Sequence, residues 1–135
     1  MTVRLRERLL NTDTFTVGGA DIARGKCVVL NNGVLAASGA NSAKFTGILA
    51  ETGFAGREAR VAQGGSTVLA LAASSGIAEG DWLLSDSEGR VTTAAQASQG
   101  TVQHFVGYAL RASSAADQLI PVVVWPVRVD NPAAA

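Results

Sequence analysis

The sequence predicts a mainly β fold, a small β-barrel or β-sandwich built from two similar β-units and carrying an extended N-terminal arm. Three observations predict it. Val, Thr and Gly are plentiful, with fifteen glycines, while helix formers other than Ala are scarce. Polar turns containing glycine separate short apolar runs. The segment "FTGILA" at 45–50 returns as "FVGYAL" at 105–110. A catalytic motif is rarely repeated inside a chain of 135 residues, whereas a structural unit often is.

Residues 1–13 are read as the arm. In "MTVRLRERLL" an alternation of Arg4 and Arg6 with Val3 and Leu5 gives an extended segment one basic and one apolar face. Basic residues are present, but no apolar stretch of signal-peptide length follows them, so a secretory leader is not expected. Residues 14–127 are read as one β domain and 128–135 as a tail, a size at which about two-thirds of the unfolded surface can be buried. Within the domain, pseudo-repeats are expected over about 20–66 and 75–126.

The first strand is placed at 14–17. Ile22-Ala23-Arg24-Gly25 then matches Ile77-Ala78-Glu79-Gly80, each an isoleucine plugging the core and a glycine able to take positive φ before a strand. The apolar runs that follow give strands at 26–30 and 81–85. Asn32-Gly33 is a strong hairpin signal, Glu88-Gly89 a weaker one, leading to strands at 33–36 and 90–93. Each copy then reaches Phe-x-Gly, at 44–50 and 104–111, where the Phe is expected to point inward and the Gly to permit a bulge or close backbone approach. From there the copies run at a constant offset of sixty. Further strands are expected at 58–63, 66–72 and 119–125, with a helical turn or plain loop at 94–101.

Little chemistry is legible. His104 is the only histidine and Cys27 the only cysteine, which excludes metal sites needing several imidazoles or thiolates and any internal disulfide. No Gly-x-Ser-x-Gly elbow is present, and His104 reads as an ordinary strand residue. Cys27 sits in an apolar run as a small hydrophobe. "QGGS" at 63–66 lacks the Lys-Ser/Thr of a phosphate loop and reads as a hairpin turn. Asp81, Asp86 and Glu88 read as a solvated turn rather than a calcium loop. No catalytic residue, cofactor or metal ligand is expected.

Eleven basic residues balance eleven acidic ones, which disfavours nucleic acid as a partner. No apolar run approaches the ~18 residues of a membrane-spanning helix. Charged residues make up 16%, against about a quarter in a typical soluble domain, so part of the surface is expected to be hidden by copies of itself or by another protein. "VVVWPV" at 122–127 supplies the oligomer-contact candidates Trp125 and Pro126, which serve equally as core cover.

The ordered set of "IARGKCVVL", "IAEGDWLL", both Phe-x-Gly segments, "VAQGGSTVLALAASSGI" and "LIPVVVWP", over about residues 14–126, resembles the capsid cement or head decoration proteins of tailed bacteriophages. That resemblance implies a non-enzymatic virion protein, often a trimer, assembled in the host cytoplasm. It implies binding to the outer surface of the head at capsomer junctions, on the major capsid protein, and resistance to the pressure of packaged DNA. The capsid-contact candidates are Val3, Arg4, Leu5, Arg6, Leu9 and Phe15, and deleting residues 2–13 is expected to weaken head binding. Two other readings stay open: another β-barrel virion component, such as a tail or head-fibre base, and a carbohydrate-binding module that would have to use Trp125 and Tyr108.

Overall fold

A computed structural model describes residues 7–94 and 101–130 of the chain. Ten strands follow one another: β1 (Thr12–Thr16), β2 (Cys27–Asn31), β3 (Val34–Ala37), β4 (Phe45–Leu49), β5 (Glu58–Ala62), β6 (Thr67–Leu71), β7 (Trp82–Ser85), β8 (Val91–Thr93), β9 (Val102–Ala109) and β10 (Leu119–Asp130). They form two five-stranded antiparallel sheets, ordered β1-β5-β4-β2-β3 and β6-β10-β9-β7-β8. The two orders are the same permutation, so the chain is built from two similar β-units. Single bridges, Val17 to Leu35 and Ala72 to Val91, tie the ends of each order without closing either sheet into a barrel. The architecture is a sandwich.

The repeat reaches down to single hydrogen bonds. Gly25 (φ 87°) and Gly80 (φ 85°) both take the left-handed conformation that the Ile-Ala-x-Gly turns require. The Gly25 N–H donates to Leu49 O (2.9 Å) and the Gly80 N–H to Ala109 O (2.7 Å), while Leu49 and Ala109 donate back to Lys26 O and Asp81 O. Asn32 (φ 52°) and Gly33 (φ 81°) make the two-residue hairpin between β2 and β3. The second copy departs here. Its turn is closed by the Asp86 carboxylate, which accepts from the N–H groups of Glu88 and Arg90. "QGGS" also departs from expectation, because β5 and β6 lie in different sheets; it is a crossover, with Gly65 N–H bonded to Val124 O.

The sheets share one core. Cys27, Ile48 and Ala62 of the first pack with Val68, Ala70, Leu83, Val106, Ile120, Val122 and Val124 of the second. The opposite face of the first sheet is also buried, where Val28, Leu49 and Val61 pack with Val17, Ile22 and Leu35. Adjacent residues Cys27 and Val28 thus face opposite sides, both out of water. Each fully buried aliphatic side chain contributes about 1.5–3 kcal/mol of transfer free energy.

Both Phe-x-Gly segments sit at register shifts, between Val28 and Val29 opposite β4 and between Val124 and Val127 opposite β9. There a Cβ on Gly47 would lie 2.4 Å from Ala62 O, and one on Gly107 would lie 1.8 Å from Val123 O. The inward expectation holds for Phe45, which packs against the shared core. It does not hold for Phe105, whose ring lies 5.7 Å from that of the exposed Trp82.

Strand boundaries follow expectation within two residues except at the end of β10, and two strands cross an expected domain boundary. β1 starts at Thr12, inside the expected arm, and pairs with β5 from Thr12↔Ala62 to Thr16↔Glu58. β10 runs on to Asp130, through Pro126 and three residues into the expected tail. Both prolines in β10 sit where no ladder donor is needed: Pro121 precedes the first β9 pair, Val122↔Ala109, and Pro126 lies in the bulge. The segment 94–101 is described only at Ala94 and Thr101, so the helical turn weighed for it lies outside the described residues, as do the tail residues 131–135.

Substituting Gly47→Ala is expected to cost at least about 2 kcal/mol of stability in urea unfolding, and Gly107→Ala more. Gly19→Ala, where nothing lies within 4 Å of the added Cβ, is expected to stay within about 0.5 kcal/mol of the parent.

Candidate interaction surface

β10 is longer than its neighbours. β6 pairs with it only from Leu119 to Val123, and the last bonds on that side run from Val124 N–H to Ser66 O (2.8 Å) and from Gly65 N–H to Val124 O (2.7 Å). Residues 127–130 continue against residues 102–105 of β9, making a two-stranded ribbon beyond the rest of the sheet. A two-stranded ribbon is marginal on its own. One edge of this one is closed by a side chain. The Asn41 amide donates to Val102 O (2.8 Å) and accepts from the His104 N–H (2.7 Å), matching what a neighbouring strand would offer. Asn41 reaches it from the loop after β3, in the left-handed conformation (φ 47°) that Asn tolerates. Along the opposite edge, at residues 125–130 of β10, no described strand pairs.

The ribbon carries an apolar groove lined by Trp82, Phe105, Trp125, Val127 and Val129, of about 370 Å³. Trp82 stacks edge-on against Phe105 and Tyr108, with ring centroids at 5.7 and 5.3 Å. Trp125 is 55% exposed, and Trp82 and Val129 are each 42% exposed. Nothing in the sequence marks Trp82, inside an apolar run, as facing water. Trp125 and Pro126, the oligomer-contact candidates, are both exposed here and form no part of the core. The groove's own lining contains no polar side chain, whereas a sugar site needs convergent polar groups to orient its hydroxyls. Beyond the groove, Arg128 and Asp130 form an exposed pair (3.0 Å) that contributes little to stability.

The arm candidates fall in two groups. Val3, Arg4, Leu5 and Arg6 lie outside the described residues. Leu9 and Phe15 are half-buried in the protein's own packing, against the shared core and the outer cluster of the first sheet. Between them the chain is tied down. Arg8 exchanges two 2.8 Å backbone bonds with Thr67, and the Glu7 carboxylate pairs with Arg24 while accepting from the Leu69 N–H (3.1 Å). The next outward N–H of β6, on Leu71, is taken by Gly25 O (2.9 Å). The outward N–H groups of β6, on Thr67, Leu69 and Leu71, are therefore all taken.

The remaining polar groups are structural. Arg90 gathers Asp86, Glu88 and Asp117 within 3.3 Å, and its hydrogen bonds to Asp117 and then Asp86 push the guanidinium above its usual range. Asp81 accepts from the Ala78 N–H and closes its own turn. His104 is a half-buried strand residue opposite Arg128. Burial, then the charge of Asp86, pushes the Cys27 thiol far up, so it is a packing group and not a nucleophile. No group of three or more potential metal ligands occurs among the described residues, nor any helix long and apolar enough to cross a membrane.

Comparison with known proteins gives two findings. A family described as phage cement protein matches residues 10–124. The crystal structure of the N base of the head fibre gp8.5 in bacteriophage phi29 superposes with a TM-score of 0.58 at 14% identity, covering 84% of this chain and 94% of that one, a likeness of fold. No curated protein matches the chain in sequence.

Replacing Asn41→Ala is expected to cost about 1–2 kcal/mol and to speed hydrogen exchange at the His104 amide, read by nuclear magnetic resonance. The raised Cys27 thiol works in one direction. Above pH ~8.5 the unfolded chain releases this proton and the folded chain keeps it, so stability falls as pH rises past that value. Alkylation of Cys27 at pH 8 is expected only after denaturant is added, and urea midpoints of the parent should drop more steeply above pH 9 than those of Cys27→Ala.

Proposed function

The chain belongs to the phage cement protein family, and on that premise we propose that it coats the outside of a phage head, binding the major capsid protein where capsomers meet. It is a structural protein of the phage virion. In the proposed role it acts as a homotrimer, without catalysis, is assembled in the host cytoplasm, and holds the shell against the pressure of packaged DNA. The observation that carries the reading is the family match across residues 10–124, which takes in nearly all of both sheets.

The proposed grip is the N-terminal segment. Val3 and Leu5 alternate with Arg4 and Arg6, the pattern of a strand with one apolar face, and the β6 edge is occupied from Thr67 onward. That alternation, next to a β6 edge whose outward N–H groups are taken, supports strand addition to an edge of the capsid protein. Leu9 and Phe15 then act indirectly, fixing the point from which the segment departs. A shell repeats its lattice many times, so several weak grips on one oligomer reinforce one another without any single tight site. The likeness of fold to a head-fibre base favours a second reading, in which the same body seats a projecting fibre on the head.

Deletion of residues 2–13 would remove two residues of β1, so the truncation that isolates the grip is residues 2–6. It is expected to weaken cosedimentation with purified heads at least tenfold while leaving circular dichroism and mass in solution unchanged. Equal decoration by truncated and full-length protein would remove the arm from the reading. Electron microscopy of decorated heads separates the two roles, by density confined to capsomer junctions or by fibres rising from it.

A further inference from the structure

We infer that the overhanging end of β10, together with the groove of Trp82, Phe105, Trp125, Val127 and Val129, is the surface through which two copies of this chain associate. The inference rests on the reading that the protein works as an oligomer and names the surface that makes it one.

The overhang itself makes the case. Residues 125–130 present a strand edge that no described strand pairs, and three of the six, Trp125, Val127 and Val129, line an apolar groove. A long apolar edge left in water is an aggregation site, and folded proteins shorten, charge or cover such edges. Here the opposite edge of the same ribbon is already closed by Asn41, whereas no described strand pairs with residues 125–130.

Direction and charge select a second copy over the capsid. Arg8 pairs with Thr67 antiparallel and Glu7 accepts from the Leu69 N–H, so the described chain from Arg8 back to Glu7 runs along β6 towards Leu71. Val123 also pairs with Thr67, and β10 continues from it the opposite way. The proposed capsid grip and the overhang therefore leave from opposite ends of β6, which suits two different partners. Charge agrees. The chain has zero formal net charge, and the groove lining carries none. Arg128 and Asp130 lie two residues apart on the exposed strand, so around a threefold axis Arg128 of one copy can face Asp130 of the next. Two identical surfaces with a net charge would repel; these do not.

The test is mass in solution by analytical ultracentrifugation across a dilution series, with tryptophan emission read in parallel. The intact chain is expected to associate. Trp125→Glu and Val129→Glu, both on exposed side chains, should each raise the dissociation constant at least tenfold with strand circular dichroism retained. Phe54→Glu, an exposed apolar residue of the loop between β4 and β5, should change nothing. Dilution of the intact chain should shift tryptophan emission to the red as Trp82 and Trp125 are uncovered, a readout that survives even if a charged variant fails to fold. A monomer up to hundreds of micromolar overturns the inference, and so does an oligomer whose mass and emission ignore both substitutions and dilution. Head binding is scored separately. Variants that are monomeric yet still bind heads weakly uphold the surface and the capsid role together; an oligomer that never binds heads upholds the surface and sinks the capsid role.

Discussion

A strand edge facing water offers a row of backbone donors and acceptors that any other strand can claim, and closing such edges is the constraint around which this fold is arranged. The edge of β6 is closed piecemeal, by the Arg8 backbone, the Glu7 carboxylate and the Gly25 carbonyl. The edge of β3 is met by Val17 and by the Gly18 N–H on Leu35 O, and that of β8 by the Ala73 N–H on Val91 O. β1 is short and reads Thr-Asp-Thr-Phe-Thr, polar enough to resist adventitious pairing. Against this background residues 125–130 of β10 stand apart, because no described strand or backbone group pairs with their outer edge, which carries its own Pro126, Arg128 and Asp130.

The duplication explains how both order and exception arise. The two halves share strand order, the two Gly turns and the two Phe-x-Gly crossings, all of them backbone features with little room for change. At Gly47 and Gly107 the neighbouring carbonyl lies where a side chain would begin, so the crossing of the strands depends on glycine in each copy. Lengths and faces are free to differ. β5 stops at Ala62 and its counterpart β10 continues to Asp130, while Phe45 packs inward and Phe105 outward. The second copy has acquired a longer strand and an aromatic face, and the first a partner for its loop in Asn41.

The ten strands were legible in the sequence because local chemistry marks their ends: Asn32-Gly33 needs positive φ, and so do Gly25 and Gly80. What was not legible is non-local. Nothing near Asn41 signals that its amide will serve residues 61 and 63 positions away, and nothing near Glu7 points to Arg24 or Leu69. Face assignment failed at Phe105, which was expected inside: its neighbour Val106 is the buried residue, and Phe105 lies against the exposed Trp82. Pro126 misled in another way. It reads as the end of a strand, yet a bulge places it where its missing N–H is not needed, and the ladder resumes at Val127.

On the proposed arrangement, opposite departures of arm and overhang have a mechanical consequence. A protein that reinforces a shell must bind its own copies and the shell at once, and a surface shared between the two would make each compete with the other. Arg8 and Val123 both pair with Thr67, so the same short strand transmits load from grip to oligomer contact through backbone hydrogen bonds rather than through a loop. Its ends are fixed by Ser66, whose hydroxyl bonds both the N–H and the carbonyl of Asn11, and by the Leu71 bond to Gly25. Three copies joined this way would present three arms at fixed spacing. In that role weak individual grips would act at an effective concentration on the order of millimolar, enough for a surface with so few charges to hold to a lattice.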